Sequence, residues 1–113
     1  MKFANEKIIV AADMSASFSS DPILLDQIYG FSFQAVFTGS PNGTFKLQCS
    51  NDDVKLPIEV SQWSDVGSTS QAISAAGDLF YNIDAAHYKW VRIVYTRSSG
   101  SGSCDVVYFA KGA

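Results

Sequence analysis

From Tyr29 to Thr38 the chain alternates without a break, with Tyr29, Phe31, Phe33, Ala35 and Phe37 on one side and Gly30, Ser32, Gln34, Val36 and Thr38 on the other. A period of two puts each set on its own face of an extended strand, whereas a helix would scatter both sets around its circumference. Aromatic bulk on one face and mostly small or polar groups on the other predict a strand with one face buried. The alternation stops at Gly39-Ser40-Pro41-Asn42-Gly43, then resumes with Phe45, Leu47 and Cys49 against Lys46, Gln48 and Ser50. Proline presets φ for a turn, and Asn-Gly tolerates positive φ. A β-hairpin turning at Pro41-Asn42-Gly43 is therefore predicted.

The same period governs most of the remaining chain. Ile8 to Met14 predicts an N-terminal strand, followed by a serine-rich link through Ser15, Ser17, Ser19 and Ser20. Asp21-Pro22 opens either a single helical turn over Ile23-Leu24-Leu25 or a loop. Pro57 interrupts Val54 to Val60 and restricts it to an edge strand or an irregular crossing. Gln71 to Ser74 enters a short strand that Gly77-Asp78 closes, and Leu79, Tyr81 and Ile83 alternate as far as Asp84. One turn at Ala85-Ala86-His87 precedes a strand from Lys89 to Thr96. Ser98-Ser99-Gly100-Ser101-Gly102-Ser103 reads as a flexible hairpin loop, and Cys104 to Ala110 as the last strand.

Seven or eight short strands joined by turn chemistry, with no βαβ rhythm and no internal repeat, predict an all-β fold. The architecture expected is a single antiparallel β-sandwich, jelly-roll or immunoglobulin-like, occupying residues 1–113 as one domain. Hydrophobic residues make up 47% of the chain, enough for a substantial core. Charged residues are 17% and the net charge is −3, which disfavours nucleic acid as a partner because phosphate binding needs clustered lysine and arginine. Ile8-Ile9-Val10-Ala11-Ala12 ends at Asp13, far short of the roughly 20 residues of a membrane span, and too short for a leader. With Met1 at its start, the chain is expected to be made whole in a cytoplasm, with no membrane partner.

Little in the sequence carries chemistry. The single histidine, His87, sits in turn-like surroundings, so a surface loop residue is expected rather than a catalytic base. Neither a Walker-type loop nor a two-histidine zinc motif is present. Asp52, Asp53, Asp78 and Asp84 could hold calcium or serve as paired carboxylates, yet each lies where aspartate satisfies a turn backbone. Trp63 and Trp90 could stack on sugar rings, or pack against the core. Cys49 falls on the apolar side of its strand, where a buried, reduced thiol is expected, with no bridge to Cys104. No cofactor, metal or catalytic residue is implied.

One pattern does not fit a half-buried sheet. In the strand Lys89 to Thr96 both faces carry apolar bulk: Val91, Ile93 and Tyr95 on one, Trp90, Arg92 and Val94 on the other. Ile8-Ile9-Val10-Ala11 and Val106 to Ala110 behave alike. A cover for these outer faces is expected, from a neighbouring subunit or from a loop of the same chain. Trp90, Arg92 and Val94 are the interface predicted, because Trp and Arg bring area and hydrogen bonding together.

The segments Phe45-Lys46-Leu47-Gln48-Cys49-Ser50-Asn51-Asp52, Gly77-Asp78-Leu79-Phe80-Tyr81-Asn82 and Tyr88-Lys89-Trp90-Val91-Arg92-Ile93-Val94-Tyr95-Thr96, with the Ser-Gly tract that follows, resemble small virion structural proteins of tailed bacteriophages. The resemblance runs from Ala35 onward. It implies a non-enzymatic β-sandwich displayed on or built into a head or tail, as decoration or as a minor component. Its partners would be further copies of itself and other virion proteins, and its location the virion. The resemblance transfers no site residue. A carbohydrate- or ligand-binding module is the competing expectation.

Overall fold

A computed structural model describes residues 3–112. Its strands in chain order are β1 (Phe3–Asp13), β2 (Phe18–Ser19), β3 (Ile23–Leu24), β4 (Gly30–Ser50), β5 (Ser64–Asp65), β6 (Gln71–Ile73), β7 (Gly77–Ile83) and β8 (Trp90–Lys111), with a 3-10 turn at Pro57–Glu59. Ile23-Leu24 is thus a strand fragment, not a helical turn. The segment around Pro57 is an irregular crossing.

The largest departure from expectation lies at the two glycine-rich tracts. Neither closes a hairpin. β4 continues through Pro41-Asn42-Gly43, and β8 through the Ser-Gly tract, the two paired with each other along their whole length from Gly30↔Lys111 to Ser50↔Trp90. A 22-residue strand at about 3.3 Å per residue would reach roughly 70 Å, yet the protein's longest extent is 38 Å. The paired ribbon must therefore fold over on itself. It does so where Gly39 (φ 85°) and Gly100 (φ 76°) take left-handed conformations and the register slips between Asn42 and Gly43. Arg97 Nε donates to the Gly100 carbonyl at 2.9 Å, and Met14 N to the Gly102 carbonyl at 2.9 Å, pinning the corner.

The fold-over converts one hydrogen-bonded sheet into two facing layers. In the first, the order is β1, residues 103–111 of β8, residues 30–38 of β4, then β7. In the second it is β2 with β3, residues 90–97 of β8, residues 43–50 of β4, then β5 with β6. All pairings are antiparallel. This strand order is that of an eight-stranded jelly roll, and it settles the choice between jelly-roll and immunoglobulin-like architecture.

The predicted inward faces meet between the layers except at Tyr29, which precedes β4 and is exposed. Phe31, Phe33, Phe37, Phe45, Tyr95 and Tyr108 are all buried in one core. The rings of Phe37 and Phe45 stack at 5.7 Å across the corner, and those of Phe45 and Tyr95 lie 4.9 Å apart. Each fully buried phenylalanine contributes on the order of 2–3 kcal/mol, so this aromatic set dominates the stability of the sandwich. Away from the corner the layers are tied by a polar contact: Tyr81 Oη donates to the Thr69 carbonyl at 2.6 Å. Burial pushes the Tyr81 phenol up to about 12.

The thiols differ from expectation in one respect. Both are free, but Cys104 is the fully buried one and Cys49 is only half-buried. Cys104 pairs with Phe37 in the first layer and Cys49 with Val91 in the second, so the register separates them.

Candidate docking groove

The predicted interface strand lies at the centre of the second layer, and its inward residues Val91, Ile93 and Tyr95 are buried as expected. Its outward residues share a less simple environment. After Ser50 the chain leaves β4 and crosses the outer face of this layer through residues 51–63. Trp90, only 1% exposed, lies under that crossing and donates from Nε1 to the Asp52 carbonyl at 3.3 Å. Lys89 Nζ sits 5.7 Å from the Trp90 ring centroid and donates to the Val54 carbonyl at 2.8 Å. Trp90 is therefore covered by its own chain and presents no surface to a partner, which corrects one residue of the predicted interface.

Asp52 fixes the crossing. Its Oδ2 accepts from Ser61 N at 2.7 Å and Gln62 N at 3.1 Å, closing the segment into a loop. The Ser61 amide, followed by that of Gln62, holds this carboxyl below its ordinary range. Asp52 thus acts as a loop brace, the turn role that its sequence setting favours. Asp84 takes Asn82 Nδ2 at 3.1 Å, beyond the end of β7, and His87 lies exposed in the link to β8. Among the described residues no three histidine, cysteine or acidic groups are placed to share a metal ion.

Arg92 and Val94 remain half-exposed. The Arg92 guanidinium stacks 4.2 Å from the Trp63 ring centroid, and its Nε and Nη2 donate to Gln48 Oε1 at 2.9 and 2.6 Å. Desolvation lowers the Arg92 pKa from its ordinary value. Gln48 Nε2 in turn donates to Asp65 at 3.0 Å, and Lys46 pairs with Asp65 at 3.1 Å. A chain of charge-assisted bonds thus runs across the outer face and fixes the Arg92 fork in place. Beside it opens a groove of about 640 Å³ lined by Pro22, Leu56, Ile58, Trp63 and Arg92 among others. Ile58 is 89% exposed and Leu56 is also exposed, so the crossing loop that hides Trp90 displays apolar side chains of its own.

Arg92 and Val94 lie on the outward face as their alternation implies, while Leu56 and Ile58, exposed on the crossing loop, are not marked by any strand pattern. The signal was present in Val54, Leu56, Ile58 and Val60, spaced around Pro57 in a segment too irregular for a core strand. From the sequence, Trp63 is expected to stack on sugars or to pack against the core. Here it supports Arg92 on one ring face, leaving less aromatic surface for stacking a ligand.

Fold and site together define a jelly-roll β-sandwich with an Arg–Trp groove on one outer face. No protein-family model and no curated protein sequence matches the chain. Among solved structures, the SPBc2 prophage-derived protein YomS is similar over 96% of this chain and 93% of its own, with a TM-score of 0.55 and 9% identity. PirA is similar over 94% and 92%, with a TM-score of 0.50 and 14% identity. A chain in the structure of infectious bursal disease virus Gx strain matches with a TM-score of 0.54 and 11% identity; 99% of this chain covers 32% of that one. At these identities the likeness is one of fold.

Proposed function

We propose that the protein is a non-enzymatic structural component of a phage particle, a head decoration or minor head or tail protein working as one domain by protein–protein assembly. One observation carries the reading: nearly the whole chain forms a jelly roll, and a prophage-derived protein shares that fold over almost the full length of both chains. Jelly rolls are a recurrent building block of viral shells. The outer faces of the sandwich supply the surface that assembly needs. Docking runs through the groove lined by Arg92, Leu56 and Ile58 and over the outward face of the strand at Val94, with a neighbouring particle protein as the occupant. Lectin domains also use jelly rolls, and the Trp63–Arg92–Gln48 cluster is the feature that a sugar-binding reading would rest on. The test is mass spectrometry of purified particles from the organism that encodes the chain. The expected result is the protein at fixed stoichiometry. Its absence from particles, or tight binding of one glycan class lost on Trp63→Ala, would overturn the proposal.

A further inference from the structure

The two layers present four lateral edges, and three of them are blunted. β1 is bulged between Lys7 and Ile9 and again between Ile9 and Ala12, with Ala11 at a φ of 49°. The opposite layer ends on one side in β2 and β3, two-residue fragments separated by a segment containing Pro22. On its other side it ends in β5 and β6, fragments of two and three residues with Ser68 at a φ of 64° between them. Bulges, prolines, charges and broken strands are the devices by which sheets avoid pairing with other chains. β7 carries only one of these, the exposed Asp78 carboxylate near its start. It is a regular seven-residue strand, in unbroken register with β4 from Gly77↔Phe37 to Ile83↔Phe31, and contains no lysine, arginine or proline. Among the described residues no strand and no loop backbone bonds to its other edge. Phe80, at its midpoint, is 62% exposed.

We propose that β7 is a dimerisation edge, pairing antiparallel with β7 of a second copy about a two-fold axis through Phe80, so that the four-stranded layers of two protomers join into one sheet. The chemistry of the strand is self-complementary in this register. Phe80 faces Phe80 of the other copy as a cross-strand aromatic pair, Leu79 faces Tyr81, Gly77 faces Ile83, and Asp78 faces Asn82. No charge meets a like charge directly across the axis. The two Asp78 carboxylates lie four residues apart along the ladder, roughly 13 Å and beyond a Debye length of about 8 Å at physiological salt. Two-fold closure also uses up both open edges, which ends the association at a dimer rather than a fibre.

Pairing through β7 requires no other particle protein and is tested in solution. Sedimentation equilibrium of the wild-type protein across a concentration series should show a mass rising from the 12.2 kDa of one chain toward twice that value. Phe80→Lys places two ammonium groups on the axis and should hold the protein at the monomer mass, with an unchanged circular dichroism spectrum. Phe80→Cys should form a thiol-reversible covalent dimer under mild oxidation, while Val10→Cys, equally exposed but on β1, should not. The cross-link decides the matter if the lysine variant does not fold. A wild-type mass of one chain at every concentration, a dimer that survives Phe80→Lys, or no excess cross-linking at position 80 would each overturn the proposal. Loss of the dimer on Arg92→Glu with retention in Phe80→Lys would move the interface to the groove and overturn it too. None of these outcomes bears on whether the protein is found in particles.

Discussion

Pro41 lies directly opposite Gly100 in the ladder between β4 and β8. A residue with no backbone N–H and a residue with no side chain thus meet at the corner where the paired strands pass from one layer to the other. A Cβ at Gly100 would run into the Ser40 carbonyl oxygen, and one at Gly102 into that of Thr38. The corner is as tight as the backbone permits.

Gly100→Ala therefore meets two penalties, a left-handed φ and a backbone clash, and should cost about 2 kcal/mol or more. Gly67→Ala is the control. A Cβ there has nothing within 4 Å, so the change should stay within about 0.5 kcal/mol of wild type. Urea unfolding of both variants checks this, and equal stabilities would remove the corner's strain from the account.

Asp52→Ala should free the crossing loop by removing the acceptor for Ser61 N and Gln62 N. The expected signs are faster proteolysis within residues 53–62 and a change in Trp90 fluorescence. The carboxyl is held below its ordinary 3.8, so its contribution is present above that value and is lost as pH falls through the lower folded-state pKa. Loop protection that is identical in wild type and variant down to that acid range would contradict the brace.

Cys104 should label with a thiol reagent only after unfolding, and half-buried Cys49 should label first in native protein. Burial pushes the Cys104 thiol up to about 12 from 9.0. A raised folded-state value means that its contribution is intact below pH 9.0 and fades as pH rises toward the folded value, because the unfolded chain ionises first. Non-reducing mass analysis that finds a Cys49–Cys104 bridge in native protein would refute the register that separates them.

Under the proposed assembly role, Arg92→Glu and Val94→Lys should each lower incorporation into particles. The first also removes the Gln48 bonds and the Trp63 contact, at a folding cost of about 1 kcal/mol. Thermal melts of each variant separate that cost from lost docking. Wild-type incorporation of both variants would take the groove and the outward face at Val94 out of the assembly.

Much of the fold was legible because a period of two is written residue by residue. Phe31, Phe33, Ala35 and Phe37, Phe45 with Leu47, and Val91, Ile93 and Tyr95 alternate in the sequence and are buried in the structure, whereas Tyr29 shares the first pattern and is exposed. The site was legible in part: Arg92 and Val94 stood out as bulk on an outward face, but the cover over Trp90 did not. That cover comes from a loop held by Asp52 reaching Ser61 and Gln62, a contact between positions whose sequence says only that they favour turns.

The sequence alone determined which residues alternate, which prefer a left-handed backbone, and therefore where the chain can bend. Only the tertiary structure decided what each bend does. Gly39 and Gly100 take the positive φ that their tracts advertise, but the same dihedral serves a hairpin turn or a corner in a continuous strand. The choice falls to pairing across about 60 residues, Pro41 with Gly100 and Gly43 with Arg97. Carrying both strands through the corner brings Phe37 onto Phe45 and closes two layers over one aromatic core, a gain that no local preference for a turn contains.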